Sequence, residues 1–449
     1  MARIVIRPRA ILGAALVVFA IYAFPGYIGW DTEAHLLQAR SGIYSDAHPP
    51  VIPALWRLVE VFVSGPLGML AIQALALLGG LTLIFRNVLG PRTAAIASAA
   101  VFLFPPVAGV TALVVKDALM AGFLALGAGW LVAGRTRRGL VACALASAMR
   151  WNALAATLPI IVALLPTRAR GMRRIAIACV AWLGITAAAF ATNALLADRH
   201  AYAWYGGYAY QDIAGTLRWM EDTPDADARA LLAGVPLAID HGIQDRARET
   251  YNALDYRQLT SGTTPLFDLP DTAAERDAIA HAWRRIVLGH PGAYLRYRWD
   301  NFRTLIEIDR PHTFAQVYVW FTIIAAPEET PRLQHDAAPS RVQDRMRIGA
   351  IALSNSPMYW PWIYLALSCV LLVACRRMAV VVALLASGIC YELAWFFLDP
   401  TGDFRYSQWM VTCCAIAAAA WIGRRYSKET MRPSAQRTES QAMIAKLAP

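Results

Sequence analysis

Long uninterrupted apolar runs are the feature of this sequence that most restricts its fold. Hydrophobic residues make up 57% of the chain, whereas charged residues make up 16%. A run of about 20 apolar residues matches the ~30 Å hydrocarbon core of a membrane at 1.5 Å of helix per residue. We therefore expect an all-α polytopic membrane protein with about ten transmembrane helices, at residues 10–29, 66–85, 93–110, 118–134, 139–149, 152–166, 175–196, 358–375, 378–398 and 407–423.

The arginines predict which side of the membrane each loop faces. With the N-terminus in the cytoplasm, every short arginine-rich loop lies inside, as the positive-inside rule requires. These inner segments are residues 86–92, 135–138, 168–174 and 376–377 and the tail from residue 424. Of the 31 acidic residues, only Glu429 and Glu439 fall on the inner side. The net charge of +11 therefore reflects topology, and we expect no nucleic-acid partner.

The loops divide the chain into modules. The first apolar run is too long for a cleaved signal, so we expect an uncleaved anchor and two cytoplasmic termini. The predicted modules are an N-terminal transmembrane module at 1–196 with an outer loop at 30–64, a mainly helical extracytoplasmic region at 197–356 with interfacial helices, a C-terminal transmembrane module at 357–426, and a cytoplasmic tail at 427–449. Within the large outer region, residues 281–307 show helical periodicity around a break at Pro291, and the short apolar run 314–326 is predicted to be interfacial or re-entrant.

Two carboxylates and a histidine follow the first apolar run. Asp31, Glu33 and His35 stand at i, i+2 and i+4, so a helix would place Asp31 and His35 on one face and Glu33 on another. A carboxylate at the membrane boundary could take a proton from an acceptor hydroxyl. The alternative is that Asp31 or Thr32 is an N-cap that binds free backbone amides.

His48 is the candidate of the outer loop. It precedes Pro49 and Pro50, which favour an extended turn before the next helix and would hold the imidazole at the outer face. There it could contact a phosphate or orient a carboxylate. A plain helix-start signal explains the prolines equally well.

Lys116 and Asp117 open the fourth predicted span at the same outer boundary. An acid in the first turn of a helix is favoured by the helix dipole, and a lysine at a span end commonly snorkels. Arg150 and Asn152 interrupt a long apolar stretch flanked by inner arginines, which predicts a hairpin with Arg150 at its outer tip. Arg150 then either binds phosphate or carboxylate or forms a structural ion pair with Asp117.

The segment 399–406 forms a short outer loop before the last predicted span. Its acids, Arg405 and Tyr406 could line the same mouth as the residues above. Proline, glycine and aspartate are also ordinary turn residues. Arg405 is the residue to which we assign a function.

The order of these motifs resembles the GT-C superfamily of polytopic glycosyltransferases. Asp31-Thr32-Glu33 resembles its acidic motif after the first span, with a threonine between the acids, and Asp117 resembles its second acid. The segment 46–50 is similar to the His-Pro-Pro element of the lipid-A aminoarabinose and protein O-mannosyl transferase-like branches. Further patches resemble poorly characterised bacterial members, at residues 116–117, 150–152, 210–215, 290–298 and 403–406.

The resemblance implies an inverting transfer of a sugar from a polyprenyl-phosphate carrier, at the outer face of the bacterial inner membrane. The acceptor would be an envelope lipid, glycan or protein, and the catalytic carboxylates would be Asp31, Glu33 and Asp117. Donor-binding or acceptor-binding groups would come from His48, Lys116, Arg150, Asn152, Asp212, Arg405 and Tyr406. No particular cofactor is implied; paired carboxylates could hold Mg²⁺ or Mn²⁺, but no further ligand is identifiable from spacing.

Two other classes of function remain open. A transporter or lipid-linked sugar flippase is the main alternative, but transporters commonly show internal repeats and loops of similar size on both faces, and this chain shows neither. A non-catalytic assembly protein is the other. The aromatics of residues 202–210 could stack on sugars, although we favour an interfacial belt.

Overall fold

The computed structural model describes residues 7–308, 340–354, 356–398 and 401–430, and these residues are all-helical. Within these ranges no strand is present, and β pairing is limited to three isolated bridges. The predicted all-α class is confirmed. The predicted interfacial run 314–326, Asp399, Pro400 and the tail from residue 431 lie outside the described residues.

Apolar helices from both ends of the chain form one bundle. The first part contains α1 (Pro8–Ala23), α2 (Trp30–Ser41), α3 (Val51–Glu60), α4 (Leu67–Val88), α5 (Pro91–Phe102), α6 (Pro105–Ala112), α7 (Lys116–Val132), α8 (Thr136–Met149), α9 (Ala153–Leu164) and α10 (Gly171–Leu196). The second part contains α17 (Arg341–Ser354), α18 (Pro361–Ala374), α19 (Ala379–Leu398) and α20 (Gln408–Thr430). Helix α19 packs against α9 and α20, which joins the two parts into one hydrophobic core.

Residues 204–305 form a smaller helical lobe with a core of its own. A π-helical turn, Trp204–Ala209, leads into α11 (Tyr210–Trp219), α12 (Asp225–Leu231), α13 (Ile243–Thr250), α14 (Gln258–Ser261), α15 (Ala273–Trp283), a second π-helical turn (Arg284–Leu288) and α16 (Pro291–Leu305). Ile213, Phe267 and Ile286 are fully buried at its centre. The helix predicted at 281–307 is confirmed, and its break falls immediately before Pro291.

Three of these helices are long and apolar enough to cross a membrane: α4, α10 and α19. The pair α5–α6 would make a fourth span if it is counted as one, but it is bent by 65°. Two prolines at the start of α6, Pro105 and Pro106, explain the bend, because proline cannot continue the hydrogen bonding of α5. The span predicted at 93–110 therefore corresponds to a bent pair of helices, and the total of ten spans stays a prediction.

Helix α1 is shorter than predicted. It ends at Ala23, whereas the apolar run extends to residue 29. Pro25 follows directly, and the residue before a proline is pushed out of the helical region, as Phe24 is with ψ 134°. The chain therefore leaves the helix early, and residues 24–29 form the approach to α2.

Small residues allow α4 and α7 to cross closely at the centre of the bundle. A Cβ on Gly80 would lie 2.3 Å from the backbone carbon of Ala125, and one on Gly122 would lie 3.0 Å from the carbonyl oxygen of Gln73. The Gln73 amide donates to the carbonyl oxygens of Thr111 and Leu113, at 2.6 and 2.8 Å. Helix α4 therefore holds both α7 and the connection that leads into it.

Candidate active site

Backbone pairing places the start of α2 beside the start of α7. The amide of Val114 donates to the carbonyl of Tyr27 at 3.1 Å. The hydroxyl of Thr32 donates to the carbonyl of Val114 at 2.7 Å. Because Asp31 precedes Thr32 and Lys116 closely follows Val114, these two hydrogen bonds hold the carboxylate and the ammonium side by side.

Asp31 is the second residue of α2, and Gly29 is the N-cap. Its Oδ2 lies 3.0 Å from Lys116 Nζ and 3.1 Å from Arg405 Nη1. Its Oδ1 lies 3.6 Å from His48 Nε2. Burial raises the pKa of Asp31, but the positive charges of Arg405 and Lys116 outweigh burial and hold the pKa well below its usual value. Asp31 is therefore ionised at neutral pH, and the interpretation of Asp31 as an N-cap is wrong.

Two neutral histidines lie beside this carboxylate. His48 Nδ1 lies 3.0 Å from Lys116 Nζ. Because an ammonium only donates, Nδ1 accepts and the ring proton is assigned to Nε2, which faces Asp31. The charge of Lys116 and burial lower the pKa of His48 to about 4. His35 packs edge-on at 5.3 Å between ring centres, and burial lowers its pKa well below the ordinary range.

A second ion pair is more deeply buried. Asp117 Oδ1 lies 2.6 Å from Arg150 Nη1, and the two side chains are 0% and 7% exposed. Arg405 joins this pair to Asp31, because its Nε lies 4.0 Å from Asp117 Oδ2 and 2.9 Å from Asp403 Oδ2. The three acids balance the three cations. We call these groups the ionic cluster: Asp31, Asp117, Asp403, Lys116, Arg150 and Arg405.

Arg150 stands in the turn between α8 and α9, as predicted, and aromatic rings fix its guanidinium. The guanidinium carbon lies 4.8 Å from the ring centre of Trp395 and 4.7 Å from that of Tyr406. The two rings stack at 4.4 Å with 13° between their planes. Arg150 Nε donates to Asn152 Oδ1 at 3.1 Å. The ion-pair hypothesis for Arg150 is confirmed, and the same side chain also faces a cavity.

That cavity has a volume of about 410 Å³ and adjoins the ionic cluster. Its polar wall contains His48, Lys116, Arg150 and Asn152. Aromatic rings complete the lining: Trp151, Tyr202, Trp204, Tyr208, Trp395 and Tyr406. A cavity that combines cationic donors with aromatic rings suits an anionic group attached to a ring-shaped or apolar partner.

Asp46 ties the cavity mouth to the chain that follows α10. Its Oδ1 accepts from the amide of Ala201 at 2.6 Å, and its Oδ2 lies 2.8 Å from His200 Nδ1. A parallel backbone bridge pairs Ser45 with Arg199 one step earlier. The loop that carries His48 is thereby joined to the first residues of the lobe.

This connection brings aromatic residues to the cavity. The aromatics of residues 202–210 were predicted either to form an interfacial belt or to stack on sugars. Three of them, Tyr202, Trp204 and Tyr208, line the cavity. Tyr210 lies inside the lobe, stacked on Phe267 at 4.1 Å between ring centres. The segment thus divides between the cavity and the core of the lobe.

Asp212 is held away from the cavity, at the centre of the lobe. Its carboxylate accepts hydrogen bonds from Trp283 Nε1 at 2.8 Å and from the Tyr297 hydroxyl at 3.1 Å. Arg298 Nη2 lies 2.5 Å from the same group. This network occupies both carboxylate oxygens and joins α11, α15 and α16. Asp212, which was predicted to belong to a binding site, therefore has a structural role in the lobe.

Glu33 is separated from Asp31 by helix geometry. It is 7% exposed. Positions two apart on a helix face different directions. The structure therefore distinguishes the two acids of the motif.

Two residues that the sequence analysis did not select support the site from α19. Trp395 stacks on Tyr406 and its Nε1 donates to the Tyr406 carbonyl at 3.1 Å. Glu392 is fully buried, and its Oε1 accepts from the Ser407 hydroxyl at 2.7 Å. A single acid inside the apolar run 378–398 was the available signal, because an ionisable residue in a span usually has a function.

The donor set of the cluster does not fit a divalent metal. In the described ranges, no three His, Cys, Asp or Glu side chains group as a metal site requires. The oxygens of Asp31 and Asp117 face Lys116, Arg150 and Arg405 instead. The positive charge of these three side chains would repel a metal cation. We therefore assign no role to Mg²⁺ or Mn²⁺.

Comparison of the chain with protein-family models, with curated proteins and with solved structures finds no match.

Proposed function

We propose that this protein is a GT-C-type membrane glycosyltransferase, which moves a sugar from a polyprenyl-phosphate carrier to an acceptor hydroxyl or amine. The observation that carries the proposal is the cavity of about 410 Å³ lined by Lys116, Arg150 and aromatic rings. Asp31 adjoins that cavity through its contact with Lys116. This arrangement supports a phosphate site, a sugar site and a base in one place.

The cations suit the phosphate of the donor. Lys116 and Arg150 both line the cavity, and Arg150 is held by two rings and Asn152. A guanidinium offers a fixed fork of donors that matches a phosphate, whereas an ammonium acts as a point charge. The rings of Tyr202, Trp204 and Tyr208 would then contact the sugar or the first isoprene units.

The proposed reaction exchanges one bond to the anomeric carbon for another. A lone pair on the acceptor oxygen or nitrogen forms the new bond, while the carbon–oxygen bond to the phosphate breaks and its electron pair stays on the phosphate oxygen. Asp31 takes the acceptor proton. Attack from the face opposite the phosphate inverts the anomeric carbon. The phosphate gains one negative charge, so Lys116 and Arg150 stabilise the transition state more than the bound donor.

Donor binding would also activate the base. In the free protein, Oδ2 of Asp31 is shared by Lys116 and Arg405, and so tightly paired a carboxylate is a weak base. A phosphate in the cavity draws Lys116 toward itself. Loss of part of that cation's attraction raises the pKa of Asp31 toward the value that proton abstraction needs.

The proposal includes a location at the outer face of the bacterial inner membrane, with multiple passes and both termini in the cytoplasm. Three helices of spanning length and composition support a membrane location. The arginine-rich turns after α7 and α9 support the orientation, because they lie at the opposite ends of these helices from Lys116 and Arg150. In this location a lipid carrier in the membrane would be able to reach the cavity.

One observation favours the alternative of a transporter or lipid-linked sugar flippase. Glu392 lies fully buried on α19 and contacts Ser407, next to the loop that carries Arg405 and Tyr406. Buried acids in membrane helices commonly belong to ion or substrate pathways. Sugar-lipid movement across sealed vesicles without transfer would support this alternative.

The test uses the full chain in lipid nanodiscs with synthetic polyprenyl-phosphate sugars and envelope lipid, glycan and protein acceptors. Released polyprenyl phosphate and labelled product are measured together. We expect Asp31→Asn to lower kcat by about 100-fold or more, because a general base contributes a factor of about 10²–10⁴. Glu33→Gln is expected to lower kcat by less than about tenfold, because residues two apart on a helix face different directions and Glu33 therefore lies on another face of α2 from Asp31.

Asp277→Asn is the matched control, because it removes an exposed carboxylate of α15 far from the ionic cluster in sequence. Its transfer rate is expected to equal that of the wild type. Unchanged transfer by a folded Asp31→Asn protein would rule out this mechanism. Absence of transfer from every donor tested, with vesicle flux present, would replace the proposed function by the transporter.

A further inference from the structure

A second cavity lies in the helical lobe, apart from the residues of the ionic cluster. Its volume is about 430 Å³, and its lining is almost wholly polar. We call it the lobe cleft. The residues on which its chemistry depends are Arg218, Glu249, Tyr251, Gln258, Thr263 and Asp300.

We propose that the lobe cleft binds the neutral, hydroxyl-rich sugar of a glycan acceptor, an inference that rests on the proposed glycosyltransferase function. Carboxylates at Glu249 and Asp300 accept hydrogen bonds, Arg218 and Gln258 donate them, and the Thr263 hydroxyl does both. Sugar hydroxyls also donate and accept, so they can satisfy this mixed set on every side.

The charges of the cleft argue against other ligand classes. Both acids are paired with arginines outside the lining, Glu249 with Arg246 at 3.5 Å and Asp300 with Arg303 at 3.3 Å. Arg218 is the single cation of the lining, so the cleft offers a phosphate or carboxylate ligand one charged donor. The lining offers little apolar surface for a lipid chain, because threonines, amides and charged groups predominate. A neutral polar ligand is the class that remains.

An aromatic ring fixes the arginine of the cleft. The Tyr251 hydroxyl donates to Asn301 Oδ1 at 2.8 Å, which fixes the ring against α16. The guanidinium carbon of Arg218 lies 4.9 Å from the centre of that ring, and Tyr251 itself is buried. The ring therefore holds Arg218 in place, and Arg218 offers sugar hydroxyls a fixed fork of hydrogen-bond donors.

The cleft is connected to the ionic cluster by one short loop. Ala253, in the cleft wall, accepts a hydrogen bond at its carbonyl from the Gly402 amide at 2.9 Å. Gly402 immediately precedes Asp403, and Arg405 follows two residues later. A Cβ on Gly402 would lie 3.1 Å from Thr304 Cγ2, so the loop is packed tightly against α16.

The segment 402–405 reaches Asp31 at its other end. Arg405 Nη1 lies 3.1 Å from Asp31 Oδ2, three residues after the Gly402 amide that binds Ala253. The segment 402–405 therefore joins the wall of the lobe cleft to the proposed base. A glycan anchored in the cleft would extend past this segment toward Asp31, so the cleft would position the acceptor and determine its specificity.

Binding is tested on the full chain in detergent with maltotriose, cellotriose and chitotriose as neutral probes, by saturation-transfer NMR and competition. We expect one or more trisaccharides to bind the wild type, and the Kd to rise at least tenfold in Glu249→Ala and in Thr263→Val. Both variants are expected to fold, because Glu249 has a 69% exposed side chain and valine keeps the shape of threonine. Unfolding midpoints check this.

Glu221→Ala, an exposed acid of the same lobe, is the matched control and should bind as the wild type does. Inorganic phosphate should not compete. If no trisaccharide binds, if the cleft variants bind normally, or if phosphate competes, the inference is overturned.

A kinetic arm separates this inference from the proposed function. In transfer assays with a glycan acceptor, Glu249→Ala should raise the acceptor KM at least fivefold with kcat and donor hydrolysis unchanged, whereas Asp31→Asn should lower kcat and bind trisaccharides normally. Loss of transfer in Asp31→Asn with no effect of Glu249→Ala would reject the cleft alone. Cleft-dependent sugar binding in a protein without transferase activity would reject the proposed function alone.

Discussion

At the scale of single residues, charge compensation organises the ionic cluster. Each acid contacts a cation within 3.1 Å, and Arg405 links Asp31, Asp117 and Asp403. Burying unpaired charges costs several kcal/mol, so the cluster is stable only because its members pair with one another. The same pairing keeps Asp31 ionised and weakly basic.

His48 predicts a pH dependence of stability. Its pKa in the folded protein is about 4, below the value of about 6.5 in an unfolded chain, so the unfolded state binds more protons between these values. Stability therefore falls as the pH drops from 7 toward 4. Between pH 7 and pH 5, the free energy of unfolding of His48→Gln should fall by about 1 kcal/mol less than that of the wild type. This figure is reduced for solvent screening, because the His48 ring is 29% exposed.

The measurement is the free energy of unfolding in detergent at pH 7, 6 and 5. His35, whose pKa burial also lowers, destabilises the fold in the same direction over this range, so both proteins should be destabilised by acid, and only the slopes differ. The contribution of Asp31 is lost only below this range, because its pKa is already below the value of the unfolded chain. His281→Gln, which changes an exposed histidine of α15, should keep the wild-type slope. An identical slope in His48→Gln would show that His48 is not buried beside Lys116 as described.

At the scale of elements, close helix crossings position the charged residues. Helix α7 carries Lys116 and Asp117 at its first turn, and its contact with α4 is made through glycines. Small residues let two backbones approach in an apolar environment, where van der Waals contact replaces the hydrophobic effect. The position of α7 along the axis of α4 therefore determines where Lys116 lies relative to Asp31.

Gly80 and Gly79 provide a matched test of this crossing. Gly80→Ala places a Cβ 2.3 Å from the backbone of Ala125 and should destabilise the fold by about 2 kcal/mol, as overpacking does. Gly79→Ala meets only Leu126 Cδ1 at 3.8 Å and should be neutral or stabilise by about 0.5–1 kcal/mol, since alanine favours helix. Unfolding midpoints in detergent measure both, and equal midpoints would contradict the close crossing.

At the scale of the whole molecule, two bodies of different chemistry meet at the cavity. The bundle contributes the charged groups at its helix ends, and the lobe and the segment that leads into it contribute Tyr202, Trp204 and Tyr208. Contacts made by Asp46 with His200 and Ala201 hold the two together. Neither body alone encloses the cavity, so the proposed chemistry needs both.

The orientation gives a prediction for the whole chain. In spheroplasts of a bacterial host, a membrane-impermeant maleimide should label Asp277→Cys in the lobe directly, and Arg137→Cys at the start of α8 only after permeabilisation. Both positions are exposed, so access to the membrane side decides the result. The wild type measures background from the native cysteines. Labelling of Arg137→Cys in sealed spheroplasts would overturn the proposed topology.

Part of the site was predictable from residue type and order. Asp31, Lys116 and Arg150 stand at the ends of apolar runs, where charge is costly unless it pairs or has a function. Glu392, inside an apolar run, carries the same signal. Asp212 was selected on resemblance, and only the hydrogen bonds from Trp283 and Tyr297 reveal its place in the lobe core.

The sequence by itself determined the helical class, the breaks at prolines such as Pro291 and the presence of charge at helix ends, because these follow from local sterics and from the apolar pattern. The tertiary structure alone decided which charges meet. Residues 31, 116, 150 and 405 are far apart in the chain, and no local rule relates them. Their contacts depend on the crossing of α4 and α7, on the hydrogen bond from Thr32 to Val114 and on the stack of Trp395 with Tyr406, which arise only when the helices pack.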